Sequence, residues 1–231
     1  MLFLIALSPV MLQAIAESLP IAFGLVLATL PLMAVPLTLV SRGAVRELGG
    51  FLAGYGAGLV GLGGAVMLSA DLLSFASADA AGWTRWLRLL LGGALLVLAW
   101  RKWHGRPRPG DAPVAPGWVK LLDNLGPRGA AGLGVALVLL NPKNAVLVAS
   151  GGLAIAAATQ VLAAQAAALL VFAAVAMLAV AAPFVLWLIR GERMRAPLGR
   201  LRDLLVRYDA LILTAVLGGL GLVIILKSLG P

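Results

Sequence analysis

The chain contains no cysteine and only one histidine, His104, which lies in a basic loop. The absence of cysteine excludes disulfide bonds, metal–thiolate centres and a thiol electron relay. A metal site built from several imidazole ligands is excluded by the single histidine. We therefore expect neither a metal nor another cofactor.

Charged residues are also scarce, at 12% of the 231 residues, whereas 62% are hydrophobic and the mean hydropathy is +1.05. Soluble domains carry about 25% charged residues. Apolar runs of about 20 residues recur here, and each is long enough to cross a ~30 Å hydrocarbon core. Because lipid leaves no backbone group unpaired, such spans are helices or a closed barrel. The runs lack polar alternation, which favours helices, so the sequence predicts an all-α integral membrane protein.

The apolar pattern predicts six transmembrane helices, at about residues 15–40, 48–70, 83–103, 129–157, 161–189 and 210–226. Two long polar segments interrupt them. Segment 104–128 is a proline-rich cytoplasmic loop followed by a short interfacial helix, and 191–208 is a basic amphipathic helix expected to lie on the membrane surface. The first loop divides the chain into two three-helix units, 1–103 and 129–231, the second of which includes the amphipathic segment.

Lysine and arginine are concentrated in three of the polar segments, 41–47, 101–128 and 190–208. The positive-inside rule places these segments in the cytoplasm and both termini outside a cytoplasmic (inner) membrane. The net charge of +9 is then a topology signal and a match to anionic membrane lipids, and no nucleic acid partner is expected.

Three spans in each half make the second half enter the membrane from the opposite side, which is the plan of an inverted repeat. The stretch PLMAV at 31–35 resembles PKNAV at 142–146, each near the middle of the first span of its half. A proline removes a helical hydrogen bond and clashes with the preceding turn. We therefore predict two inverted three-helix repeats whose first and fourth helices are broken at Pro31 and Pro142. An ordinary proline kink is the alternative at Pro31.

The fourth span contains a lysine in its middle, in the stretch ALVLLNPKNAVLVAS. A lysine at the centre of a bilayer costs ~2.5–3.5 kcal/mol, so Lys143 should face the bundle interior or a wet cavity. Intramembrane acids are rare in this chain, so the midplane charge favours an anionic ligand. The predicted substrate site consists of Lys143, Asn141, Asn144, Pro142 and Pro31. The alternative is a structural lysine bonded to carbonyls freed by the break in the first helix.

Other polar residues within the spans are candidates for coupling or for lining a path, namely Glu17, Thr29 and Gln165. Glu17 either pairs with Lys143 in some state or lies at the outer interface. The second span has glycines at four-residue spacing, which let another helix approach closely. Gly50, Gly54 and Gly58 are thus predicted to pack against a helix of the same bundle or of a second subunit in a homodimer.

Two stretches resemble a known family: LPLMAVPLTLVSRGAVRELGGFLAGY at 30–55 and LLNPKNAVLVASGGLAIAAA at 139–158. An Asn-Pro-Lys motif in the fourth of six spans is similar to the LysE superfamily of exporters. Within it, the chain most resembles the GAP family of peptidoglycolipid- or sulfolipid-addressing proteins. The residues that fit the family pattern are Ser41, Arg42, Gly50, Phe51, Leu52, Gly54 and Tyr55. Of the family's two prolines in the first span, only Pro31 matches.

The resemblance implies a LysE-like fold and export across the cytoplasmic membrane. The main hypothesis is a transporter that moves an anionic lipid, glycolipid or small anionic solute outward through the Asn-Pro-Lys region. The alternative is a non-transporting accessory subunit of a larger lipid-export complex. A membrane enzyme is not expected, because the sequence has no clustered acids and no nucleophile–histidine pair.

Overall fold

The computed structural model describes residues 8–38, 44–76, 80–106 and 126–229, and the regular structure in these ranges is entirely helical. In chain order the elements are α1 (Pro9–Thr38), α2 (Ala44–Ala76), α3 (Ala80–His104), α4 (Pro127–Leu139), α5 (Pro142–Ala158), α6 (Leu162–Arg190), a 3-10 turn (Gly191–Met194) and α7 (Arg195–Leu229). The interfacial helix predicted within 104–128 lies outside the described residues.

Within the described ranges, five helices contain stretches long and apolar enough to cross a membrane, namely α1, α2, α3, α6 and α7. The remaining two, α4 and α5, pass the same test only together and are bent by 73° at a short break. The prediction of a multi-pass, all-α membrane protein is therefore confirmed. So is the break in the fourth span, which separates Leu139 from Pro142.

The break predicted in the first span is wrong. Helix α1 runs without interruption from Pro9 to Thr38 and passes through Pro20, Pro31 and Pro36. A proline costs a helix one hydrogen bond but does not end it when the flanking turns continue, and prolines are frequent in membrane helices. The side chains of residues 29–38, including those of Thr29 and Pro31, lie outside the described part of the chain.

The amphipathic segment 191–208 also differs from the prediction. It is helical, but it is not a separate helix on the membrane surface, because α7 continues from Arg195 through the last span to Leu229. Gly191, at φ +52°, ends α6 and starts the 3-10 turn that leads into α7. Leu198 is buried in a small cluster with Leu48 and Phe184, whereas Leu201 is exposed.

The helices pack as three close pairs, α2 with α4, α3 with α7, and α1 with α6. The short helix α5 contacts α1, α2, α3 and α6, so it occupies the centre of the bundle. Its central position explains its composition of alanine, glycine and small aliphatic residues, most of which are buried. The main core surrounds α5 and includes Leu25, Tyr55, Leu147 and Phe172.

The chain direction gives the bundle two distinct ends. At one end, which we call the basic end, α1, α3 and α6 finish and α2, α4 and α7 begin. Its described lysines and arginines are Arg46, Arg101, Lys102, Arg106, Arg128, Arg190, Arg193, Arg200 and Arg207. The opposite, terminal end holds the start of α1 and the end of α7, and its described cations are Arg85, Arg88 and Lys227.

The glycines of the second span pack against α4. A Cβ atom at Gly50 or Gly54 would overlap the backbone carbonyl of Pro127 or Ala131. On the facing helix, a Cβ at Gly134 would meet the backbone of α2 in the same way. At Gly58 the added atom would lie 3.0 Å from the Val138 side chain. This glycine face is therefore filled within the bundle and is not a free surface for a second subunit.

Candidate functional site

The break between α4 and α5 follows from three consecutive residues. Leu140 closes α4 by donating its backbone N–H to the Ala136 oxygen at 2.7 Å. Asn141 is extended, with φ −85° and ψ 111°, as expected for a residue that precedes proline. Pro142 then starts α5, where its missing N–H is not needed. The result is a new helix N-terminus inside the bundle.

Lys143 lies in the first turn of α5, beside that N-terminus. Its Nζ donates a hydrogen bond of 2.6 Å to the backbone oxygen of Ala28 on α1. An ammonium group has three donors, so two remain for other groups. Ala28 lies three residues before Pro31, within the turn that a proline disturbs. The structure therefore places Lys143 against the first helix, as the interpretation of a structural lysine requires.

Asn144 spans the break on the other side. Its Nδ2 donates to the Leu137 oxygen at 3.0 Å, which fixes the orientation of the amide. The Oδ1 atom is buried and has no hydrogen-bond partner within the described residues. Asn141 is half-buried and Pro142 is exposed, so neither is enclosed as Asn144 is. Within the predicted cluster, the Lys143 ammonium is hydrogen-bonded to α1, and Oδ1 of the next residue, Asn144, is an acceptor without a partner among the described residues.

The charges that act on Lys143 come from the basic end. Asp209 on α7 attracts the ammonium and Lys102 on α3 repels it. These two residues form an ion pair with each other. Glu17, a candidate partner of Lys143, pairs instead with Lys227 at the terminal end, and both side chains are partly exposed.

A cavity of about 270 Å³ opens near the terminal end, between α1, α3, α5 and α7. Its polar lining residues are Gln13, Glu17, Arg88, Ser150 and Lys227. Aliphatic side chains and the proline ring make up the rest, namely Pro20, Ile21, Leu91, Leu153, Ala154, Ala157, Ala158, Leu220, Val223 and Ile224. The cavity is thus amphipathic, with charged groups near the helix ends and apolar walls.

The cavity and Lys143 lie along the same pair of helices. On α5, Ser150 in the cavity wall follows Lys143 by seven residues, and on α1, Ile21 precedes Ala28 by seven residues. Seven helical residues correspond to a rise of about 10 Å. Leu25 and Leu147, both fully buried, lie in the interval between the two sites.

Gln165 does not line the cavity. It is buried at the start of α6, where its Nε2 donates to Asp71 of α2 and to the Thr159 carbonyl, each at 2.8 Å. It therefore ties the α5–α6 connection to α2. Arg88 and Lys227 are cavity residues that sequence reasoning missed, because both lie outside the three basic segments and outside the Asn-Pro-Lys region. The helical spacing of Leu220, Ile224 and Lys227 was the available signal, since residues four and three apart share one face.

These features define a multi-pass helical membrane protein with a broken central helix, an intramembrane lysine and an amphipathic cavity. A match to a family model then identifies the particular family. The chain belongs to the family described as Sap, sulfolipid-1-addressing protein, whose model matches residues 19–230. No curated protein and no solved structure matches the chain. The predicted sulfolipid-addressing family is confirmed, and membership suggests a role in lipid addressing or export, whereas the LysE superfamily stays a prediction.

Proposed function

We propose that this protein is an exporter of the cytoplasmic membrane that moves an anionic lipid or glycolipid outward, with Lys143 binding the anion during passage. A small anionic solute is the other substrate class compatible with the site. The observation that supports the proposal is the Lys143 ammonium at the helix break, in contact with α1 and along the same helices as the cavity.

The chemistry of the break suits an anion. The N-terminus of a helix carries a partial positive charge and unpaired N–H groups, and α5 begins beside Lys143. Two donors of the ammonium remain available beyond the Ala28 bond. The family name refers to a sulfolipid, and a sulfated headgroup would present an oxyanion to these donors.

The proposed topology treats α4 and α5 as one broken span. The chain then crosses six times and every basic segment lies on one side of the membrane, which the positive-inside rule places in the cytoplasm. If α4 and α5 instead formed a re-entrant loop, the segment Arg190–Arg207 would lie on the side opposite Arg101–Arg106. The charge distribution favours the first arrangement.

The helix contacts support a LysE-like inverted repeat as part of the proposal. In an inverted repeat of this chain, α1 corresponds to the α4–α5 pair, α2 to α6, and α3 to α7. The contact of α1 with α6 then corresponds to the contact of the α4–α5 pair with α2, and the structure has both contacts. The contact of α3 with α7 joins the two corresponding third helices, so the same correspondence leaves it unchanged. Such correspondence is expected if two related halves insert in opposite directions.

One observation favours the alternative of a non-transporting accessory subunit. Lys143 already binds the Ala28 carbonyl, as a purely structural lysine would. Leu201 and Leu204, near the basic end of α7, are exposed and would be available to a larger complex. In this alternative the purified protein moves no lipid by itself.

A vesicle assay distinguishes these functions. The protein is reconstituted into phosphatidylcholine vesicles that contain acyl-labelled NBD-phosphatidylglycerol, and transbilayer movement is followed by dithionite quenching, with and without a proton gradient. We expect movement with wild type and with Lys143→Arg, but not with Lys143→Ala. NBD-phosphatidylcholine serves as the control for a nonspecific leak. Equal movement by Lys143→Ala would refute the role of the lysine, and no movement by folded wild type would favour the accessory subunit.

A further inference from the structure

The cavity at the terminal end has no assigned ligand. We propose that it is a second binding site, in which Arg88 and Lys227 bind the oxyanion headgroup of an amphiphile and Glu17 is a built-in competitor for Lys227. The ligand class is a sulfate or phosphate ester attached to an alkyl or acyl chain. The inference rests on the proposed function, because it identifies where the exported anion is held after it leaves Lys143.

The shape of the cavity fits part of such a molecule. At about 270 Å³ it is slightly smaller than the ~300–1,000 Å³ of typical ligand pockets. It can therefore enclose a headgroup and the first part of a chain, but not a whole lipid. The aliphatic wall formed by Ile21, Leu91 and Leu153 suits the chain, and Arg88 suits the headgroup.

Arg88 is the main candidate for binding the headgroup. It is half-buried on α3, and within the described part of the chain it has no ion pair and no hydrogen-bond partner. A guanidinium presents several N–H groups in a fixed plane, which matches the oxygens of sulfate and phosphate. The N–H groups of Arg88 are therefore available to the oxygens of an anionic ligand.

Lys227 provides the second cation, but in this structure it pairs with Glu17. The carboxylate of Glu17 occupies the position that a headgroup oxygen would take at the ammonium. A bound oxyanion must therefore displace Glu17, and the displacement removes the ion pair that joins α1 to α7 at this end. Because the Glu17–Lys227 ion pair is partly exposed, it contributes little free energy. A bound oxyanion can therefore displace Glu17, and Glu17 can later displace the oxyanion.

The test is a binding measurement on the whole protein in phosphatidylcholine nanodiscs. The probe is dioctanoyl phosphatidic acid, with dioctanoyl phosphatidylcholine as the zwitterionic control and inorganic phosphate as the chain-free control, each measured by titration calorimetry. We expect the anionic amphiphile to bind and the zwitterionic one not to bind. Free phosphate should bind at least about tenfold more weakly, because it buries no chain.

Matched variants locate the site. Arg88→Gln should weaken binding by about tenfold or more, as expected for loss of a hydrogen bond to a charged group. Arg85→Gln is the control, because Arg85 is an exposed arginine one turn away on α3 that does not line the cavity. Glu17→Gln should tighten binding by about two- to fivefold, since it frees Lys227 from an exposed pair. A gain of affinity cannot arise from misfolding.

Several outcomes would overturn this site. One is equal loss of affinity in Arg88→Gln and Arg85→Gln, and another is weaker binding by Glu17→Gln. Equal affinity for free phosphate and for the amphiphile would exclude a lipid ligand. Loss of lipid movement in Lys143→Ala vesicles tests the export function at Lys143, and loss of affinity in Arg88→Gln nanodiscs tests this second site, so the two failures are recorded by different variants and different assays.

Discussion

The contact between α2 and α4 is so close that a single methyl group should separate the helices. In Gly54→Ala the new Cβ would overlap the backbone carbonyl of Ala131, which cannot rotate away as a side chain could. Overpacking of this kind costs ~1–3 kcal/mol, and an overlap with backbone belongs in the upper half of that range. Replacing glycine by alanine in a helix returns ~0.5–1 kcal/mol. We therefore expect a net loss of about 1–2 kcal/mol in the free energy of unfolding.

Gly61→Ala is the matched control, because Gly61 lies on the same helix with no atom within 4 Å of its added Cβ. It should stabilise the protein by ~0.5–1 kcal/mol through helix propensity alone. Unfolding of both variants is measured in mixed dodecylmaltoside and dodecyl sulfate micelles by tryptophan fluorescence. If Gly54→Ala is as stable as Gly61→Ala, the two helices are not in contact at this position and the packing of the fourth span needs revision.

Two further substitutions test the interior of the bundle by the same unfolding measurement. Gln165→Leu removes the hydrogen bonds to Asp71 and to the Thr159 carbonyl and should lower the free energy of unfolding by about 1–3 kcal/mol. Gln160→Leu, at an exposed position, is the control and should have little effect. Equal effects of the two substitutions would contradict the buried role of Gln165. Phe172→Ala removes a fully buried ring from the core and should cost about 3–5 kcal/mol, so a loss below about 1 kcal/mol would show that α6 does not pack as described.

The break in the fourth span could be predicted because its causes are adjacent in sequence. Asn141 precedes a proline and is forced out of helical geometry, and Pro142 is well suited to start the next helix. The same reasoning failed at Pro31, because a proline inside a helix removes only one bond. Whether the chain then kinks or breaks depends on the contacts of α1 with α5 and α6, which no local pattern contains.

The candidate site, like the helix breaks, could be predicted from the sequence only in part. The apolar surroundings of Lys143 were sufficient to predict an interior charge, but its partner, the Ala28 carbonyl, lies 115 residues away in sequence. The cavity was missed because it forms only where four helices converge. Helical spacing places Lys227 on one face with Leu220 and Ile224, but no sequence pattern shows that Arg88, on a separate helix, lines the same space. The continuity of α7 was missed because charged residues within 191–208 suggested an end to the span.

Helix α7 joins the two ends of the bundle without a break. It approaches α3 closely at Gly92 and Gly221, where a Cβ atom added to either glycine would lie 3.0 Å or less from the backbone oxygen of the other. From Gly221, Asp209 lies twelve residues toward one end and Lys227 six residues toward the other, which gives arms of about 18 and 9 Å. A rigid helix that rocks about this contact moves its two ion pairs in opposite directions, with twice the displacement at Asp209. In the proposed exporter, tightening one end of the bundle would thus open the other, as alternating access requires.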